Sequence, residues 1–180
     1  MKFILFLFIG ICSNFILAQG NDYIVDINDR KILGTIKLNT PAINSSMIRF
    51  KSNNETSFEQ YRPDKIKQWS VGEQVFVSKV YTVDETRSYS VFMKRLTPER
   101  GKAHLFEYYN TSGDMGYTQT FLEKDLKITE VNYAKFRKQM AEVFKDCKEL
   151  SKKITEKKYK KKQLLEIIEE YNEWREYLWK

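Results

Sequence analysis

The sequence predicts an α+β protein in which a curled antiparallel β-meander or small barrel-like sheet is followed by two C-terminal α-helices. Three observations carry this expectation. Apolar residues recur with period two up to about residue 128 and in steps of three and four beyond it. All three prolines and all seven glycines lie before residue 117, so nothing interrupts a helical pattern from 131 to 180. At 42% hydrophobic and 14% aromatic content, 180 residues suffice for one compact core.

In chain order, residues 1–19 read as a cleavable secretory signal peptide. Lys2 is the basic n-region, 3–17 the apolar run, and Ala18-Gln19-Gly20 the small-residue cleavage region. The run is broken by Ser13 and Asn14 and falls short of the roughly 20 residues that span a bilayer. No second run of spanning length follows, so no transmembrane helix is expected in the mature chain. Removing the signal lowers the net charge from +7 to +6 and takes Cys12 with it. Cys147 is then alone, and no intramolecular disulfide can form.

Residues 20–127 form the expected β-rich domain. Strands are predicted at 23–27 and 32–38 around the turn formers Asn28-Asp29-Arg30, with Gly34 as a bulge or close-approach site. Further strands are expected at 46–51, 74–82, 88–96, 102–109 and 117–122, each rich in β-branched or aromatic residues. Pro98 and Gly101 bracket the clearest hairpin, and Pro63 places 61–66 in a turn or helical loop. A sheet of this size curls or closes to protect its edges.

Residues 128–180 form the helical segment. Phe136, Met140, Val143, Phe144, Cys147, Leu150 and Ile154 draw one stripe, and Leu164, Ile167, Ile168, Tyr171, Trp174 and Leu178 a second. Their joint is expected near 152–159, where seven lysines occupy the eleven positions from 152 to 162.

Catalytic motifs are absent. His104 and Cys147 are too few for the common zinc sets, and no Gly-x-Ser-x-Gly, phosphate-binding loop or His-Glu-x-x-His occurs. Asp22, Asp26, Asn28 and Asp29 lack the Gly and closing Glu of a calcium loop and read as turn chemistry. No catalytic, cofactor-binding or metal-ligating residue is assigned. Clustered lysines focus a positive potential. The candidate interaction surface is therefore Lys152, Lys153, Lys157, Lys158, Lys160, Lys161 and Lys162 with the aromatic tail Trp174, Tyr177 and Trp179. Glu166, Glu169, Glu170, Glu173 and Glu176 follow and can partly neutralise the lysines, which makes a solvated helix face the competing explanation.

Several segments together resemble a group of uncharacterised exported proteins of Bacteroidota. They are the signal ending in Ala18-Gln19, Gly20 to Ile24 opening a hairpin, Gly34-Thr35-Ile36 returning from it, and Tyr61-Arg62-Pro63 with Ile66. In the second half they are the Leu96 to Leu105 hairpin with Gly101, the run Phe144-Lys145-Asp146-Cys147-Lys148-Glu149-Leu150, and Tyr159 followed by Ile167 to Asn172. Asn28-Asp29-Arg30 departs from the Asn-Gly-Asp of that group. The resemblance implies a β-domain followed by C-terminal helices and no catalytic residue. No C-terminal sorting β-sandwich of the kind used in that phylum is predicted, so the periplasm or the outer-membrane periphery is expected rather than release from the cell.

The sequence therefore points to a non-enzymatic cell-envelope protein that binds a protein partner or an anionic surface, either lipid headgroups or polysaccharide. Nucleic acid is disfavoured for an exported chain. Two rival expectations are a periplasmic hydrolase whose carboxylates converge in the β-domain, and a structural subunit with Phe136, Met140, Phe144 or Ile168 exposed for a partner.

Overall fold

The computed structural model describes residues 22–84, 86–111 and 116–177. The signal segment at 1–19 and Trp179 lie outside the described residues. Ten strands form one antiparallel sheet: β1 (Asp22–Asp26), β2 (Lys31–Lys37), β3 (Ile48–Ser52), β4 (Glu59–Tyr61), β5 (Ile66–Val71), β6 (Gln74–Asp84), β7 (Arg87–Arg95), β8 (Ala103–Asn110), β9 (Tyr117–Lys124) and β10 (Lys127–Glu130). Their spatial order is β10-β9-β8-β7-β6-β5-β1-β2-β3-β4, an open sheet with β10 and β4 at its edges. A one-turn helix α1 (Pro41–Asn44) joins β2 to β3. Helices α2 (Phe136–Val143), α3 (Lys148–Thr155) and α4 (Leu164–Tyr177) follow the sheet, so the class is α+β. No helix among the described residues is long and apolar enough to cross a membrane.

Chain connectivity forces the curl. β5 pairs with β1, yet it follows β4, which lies four inter-strand gaps away, about 19 Å in a flat sheet. Only residues 62–65 connect them, and the Lys65 N–H folds back on the Arg62 carbonyl. So short a link requires the first five strands to wrap round. Ile24, Ile36, Ile48, Phe50, Ile66 and Trp69 fill the interior together with Phe92. In the second half, Lys79 on β6 reaches Glu123 on β9 at 2.7 Å, and Tyr81 packs edge-on against Phe121 at 5.0 Å. These contacts close the concave face over Val91, Met93, Phe106 and Phe121.

Three strands exceed the sequence expectation. β4 is only three residues long, and β5 meets β1 with a register shift at Val25/Asp26 that spoils its alternation, so that Ile66 and Trp69, three positions apart, are buried in the same core. β10 follows a two-residue turn, Asp125-Leu126, with both residues at positive φ (51° and 64°) where Asn-Gly is the usual signal. Gly34 stays in register between Asp22 and Ser52 with no bulge. It is a close-approach site: a Cβ there would sit 2.1 Å from the Lys51 carbonyl oxygen.

The helices cover the other face of β8 and β9, where Ala103, Leu105 and Leu122 meet Phe136, Met140, Phe144, Leu150, Ile154, Leu164, Ile167, Ile168 and Tyr171. The helical segment divides once more than the two stripes predict. The backbone leaves helical geometry at Phe144 and Cys147, and the Ser151 hydroxyl donates to the Ala141 carbonyl at 2.9 Å, folding α3 back beside α2. That bend delivers Asp146 to Lys124 on β9 (3.0 Å) and to the Tyr171 hydroxyl on α4 (2.8 Å). Nearby, the Asn172 side chain accepts from the Lys102 and Ala103 N–H groups and donates to the Ala103 carbonyl, each at 2.8 Å. Two latches thus hold α4 to the sheet.

Candidate functional site

The lysine-rich joint is a built turn. Helix α3 ends with the Lys158 N–H donating to the Lys153 carbonyl (3.0 Å) and the Lys157 N–H to the Ile154 carbonyl (3.2 Å), the paired bonds of a Schellman cap. Lys157 takes the left-handed position, φ 63°, that normally selects glycine. A short 3-10 turn, Lys161–Gln163, then leads directly into α4, closed by the Lys160 N–H on the Gln163 side-chain oxygen at 2.9 Å. Between these two ends the Tyr159 hydroxyl donates to the Glu170 carboxylate. That bond, with burial, pushes the phenol up to about 12.

Pairing separates the seven lysines into two groups. Lys152 meets Glu156 at 3.8 Å, and Lys153 meets Glu170 at 3.0 Å and Glu149 at 3.4 Å. Bonding to Glu170 and Glu149 raises the Lys153 ammonium above the ordinary lysine range. Lys157, Lys158, Lys160, Lys161 and Lys162 are exposed and, among the described residues, have no ion-pair partner. Among the described residues, the glutamates that follow form an ion pair with the seven lysines only through Glu170. Glu166 instead accepts from the Gln163 amide (2.8 Å), and Glu176 faces Arg100 (3.6 Å). Lys160, Lys161 and Lys162 therefore crowd the amino end of α4, where the helix dipole is also positive, and repel one another and the dipole. Lys157 and Lys158 stand instead at the carboxyl end of α3, whose dipole favours them, so their cost is mutual repulsion alone.

The aromatic half of the expected surface separates from the lysines. Trp174 is half-buried against Tyr171 (5.6 Å between rings), beneath the Arg175 guanidinium. Tyr177 is 81% exposed. With about 1.5 Å of rise per residue, Tyr177 stands about 20 Å along α4 from Leu164 and the lysine turn. Phe136, Met140, Phe144 and Ile168, which a partner-completed core would leave open, are all buried within the chain.

The remaining sequence candidates have structural roles. Cys147 lies 4% exposed in the helix core, where burial pushes its thiol up, and half-buried His104 sits 3.5 Å from the Thr97 hydroxyl. Asp26 accepts from the Asn28 and Arg30 N–H groups, Asp22 from the Ile36 N–H, and Asp29 pairs with Lys67. In the β-domain, Glu123 is held by Lys79 and Glu130 by the Gln119 amide (2.8 Å).

A second feature escaped the sequence reading. β7 and β8 share only the pairs Lys94–Glu107 and Arg95–Phe106 and then diverge. The Phe92 N–H is taken by the Ser45 carbonyl at 2.8 Å, so the α1 segment wedges into the split. A cavity of about 400 Å³ remains there, with Leu38, Pro41, Val71, Phe76 and Phe92 as apolar walls and Glu107 as its one carboxylate. Thr40-Pro41, an N-cap followed by proline at the first helical position, was the local signal for α1. Nothing local foretold the cavity. Comparison with protein-family models, with curated proteins and with solved structures returns no match.

Proposed function

We propose that this is an exported, non-catalytic cell-envelope protein that attaches to an anionic surface, lipid headgroups or polysaccharide, through the turn bearing Lys157, Lys158, Lys160, Lys161 and Lys162. One observation carries the reading. Five exposed lysines without an ion-pair partner among the described residues are displayed on one hydrogen-bonded turn between the carboxyl end of α3 and the amino end of α4, three of them at the positive end of the α4 dipole. A surface of phosphates or carboxylates supplies the missing counter-charges, each lysine contributing about 1 kcal/mol close to an anionic bilayer. The hydrolase alternative finds no support in the cavity at the β7–β8 split, where Glu107 has no second carboxylate to work with.

The test is co-sedimentation of the wild type and of the five-lysine variant, all Lys→Gln, with anionic vesicles, zwitterionic vesicles and an acidic polysaccharide. The wild type is expected to bind one or both anionic materials and to be released by roughly 0.5 M salt, where screening is strong. Which material binds distinguishes headgroup from polysaccharide. Equal binding by the variant, or no binding to either material, overturns the proposal.

A further inference from the structure

The cavity at the β7–β8 split carries an inference independent of the lysine turn, since none of its lining residues belongs to the helical segment. Its volume of about 400 Å³ lies in the range of small-molecule sites, roughly 300–1,000 Å³. Apolar walls come from Leu38 just after β2, the α1 segment, β5, β6 and β7. Phe76 is backed by a parallel stack on Trp69 at 3.8 Å, and Phe92 by an edge contact to the same ring at 6.0 Å.

The polar end is unusual. Lys94 and Glu107 both line the cavity and stand directly opposite each other on β7 and β8. Opposed charges in that position ordinarily pair, because their Cβ atoms lie about 5 Å apart. Here they do not meet within ion-pair distance, and neither has another hydrogen-bond or ion-pair partner among the described residues. A cation and an anion therefore stand side by side, both open, at the mouth of an apolar pocket. A fatty acid would satisfy Lys94 and be repelled by Glu107, and an apolar amine would meet the reverse conflict.

We propose that this cavity binds a small zwitterion with an apolar side chain, of the class of aliphatic and aromatic α-amino acids. The ligand carboxylate lies on the Lys94 ammonium, its ammonium on the Glu107 carboxylate, and its side chain against Val71, Phe76 and Phe92. Tyr109 and Thr118 also line the cavity, on β8 and β9 beyond Glu107.

Isothermal titration of the folded protein with leucine and phenylalanine tests this, alongside N-acetyl-phenylalanine, phenylalanine amide, hexanoate and indole. Both free amino acids are expected to bind, and each blocked derivative to bind about tenfold or more weakly, the loss for one charged hydrogen bond. Lys94→Gln should weaken phenylalanine while leaving the amide unchanged, because the amide already lacks that contact. Glu107→Gln should do the same for the N-acetyl compound. Thermal melts of both variants confirm folding. The proposal is overturned if neither amino acid binds, if hexanoate or indole binds as tightly as phenylalanine, or if neither substitution changes affinity.

Discussion

The contact between Gly101 and Asn172 makes a sharp test of how the helices are held to the sheet. The Asn172 amide makes three hydrogen bonds to the backbone of Lys102 and Ala103. At about 1 kcal/mol net for each, Asn172→Ala should cost 2–3 kcal/mol. Gly101 has φ 144°, and a Cβ added there would lie 2.6 Å from Asn172 Nδ2 and 2.8 Å from its Cγ. Gly101→Ala therefore adds about 1–3 kcal/mol of backbone strain and also expels the amide, forfeiting the same three bonds. Because both substitutions remove one set of bonds, the double variant should be about as stable as Gly101→Ala alone. The coupling energy should equal the Asn172→Ala cost, about 2–3 kcal/mol in the compensating direction. Urea denaturation of the four proteins, compared at constant slope, measures it. Simple additivity would refute the claim that glycine is required there to admit the Asn172 amide.

Other outcomes follow from the same geometry. Burial opposes ionisation of Asp146, yet the Tyr171 hydroxyl and Lys124 together hold its carboxyl below the ordinary range. A folded-state value below the unfolded one stabilises above about pH 4 and is lost as pH falls through the folded value. Asp146→Asn should therefore cost about 1 kcal/mol near neutrality, discounted for its partial exposure, and progressively less in acid, read from melts against pH. Leu126, at φ 64° and 94% exposed, pays left-handed strain with no packing in return. Leu126→Gly should raise stability by about 1 kcal/mol in denaturant titration. Changing Lys160, Lys161 and Lys162 together to Gln should raise the melting temperature in low salt, and the difference should shrink as salt rises; a lower melting temperature would mean that these lysines stabilise the fold.

Where local chemistry determined the fold, it was legible. β7 and β8 announce themselves by β-branched and aromatic residues around Pro98 and Gly101, and α4 by its apolar steps from Leu164 to Tyr171. β10 was not, because Asp125-Leu126 reaches a left-handed turn without glycine or asparagine. Nor was the break between α2 and α3. Phe144 and Cys147 continue the stripe perfectly well, and the bend is favoured by tertiary partners of Asp146 that lie 22 and 25 residues away. The same limit applies to the sites. The lysine block is visible in the sequence, but which lysines are free depends on where Glu170 points, and the cavity depends on α1 entering a split between strands 50 residues further on.

Glu170 also explains why the cationic turn holds its shape despite the repulsion within it. The two latches at Tyr171 and Asn172 bind α4 to Asp146 and to the sheet, and neither reaches the lysine turn. Glu170 does, taking Lys153 on one carboxylate oxygen and the Tyr159 hydroxyl on the other, and so ties the end of α3 and the middle of the turn to one point on α4. Lys153 is consumed in the process and becomes part of the frame. Lys157, Lys158, Lys160, Lys161 and Lys162 are left on a backbone whose hydrogen bonds are already made. Five lysines on a flexible tail would lose chain freedom on meeting a surface, and that loss would offset much of the electrostatic gain. Held on this turn, they would meet the proposed anionic surface with the backbone already ordered. If surface charge is what binds, the paired lysine therefore matters as much as the free ones.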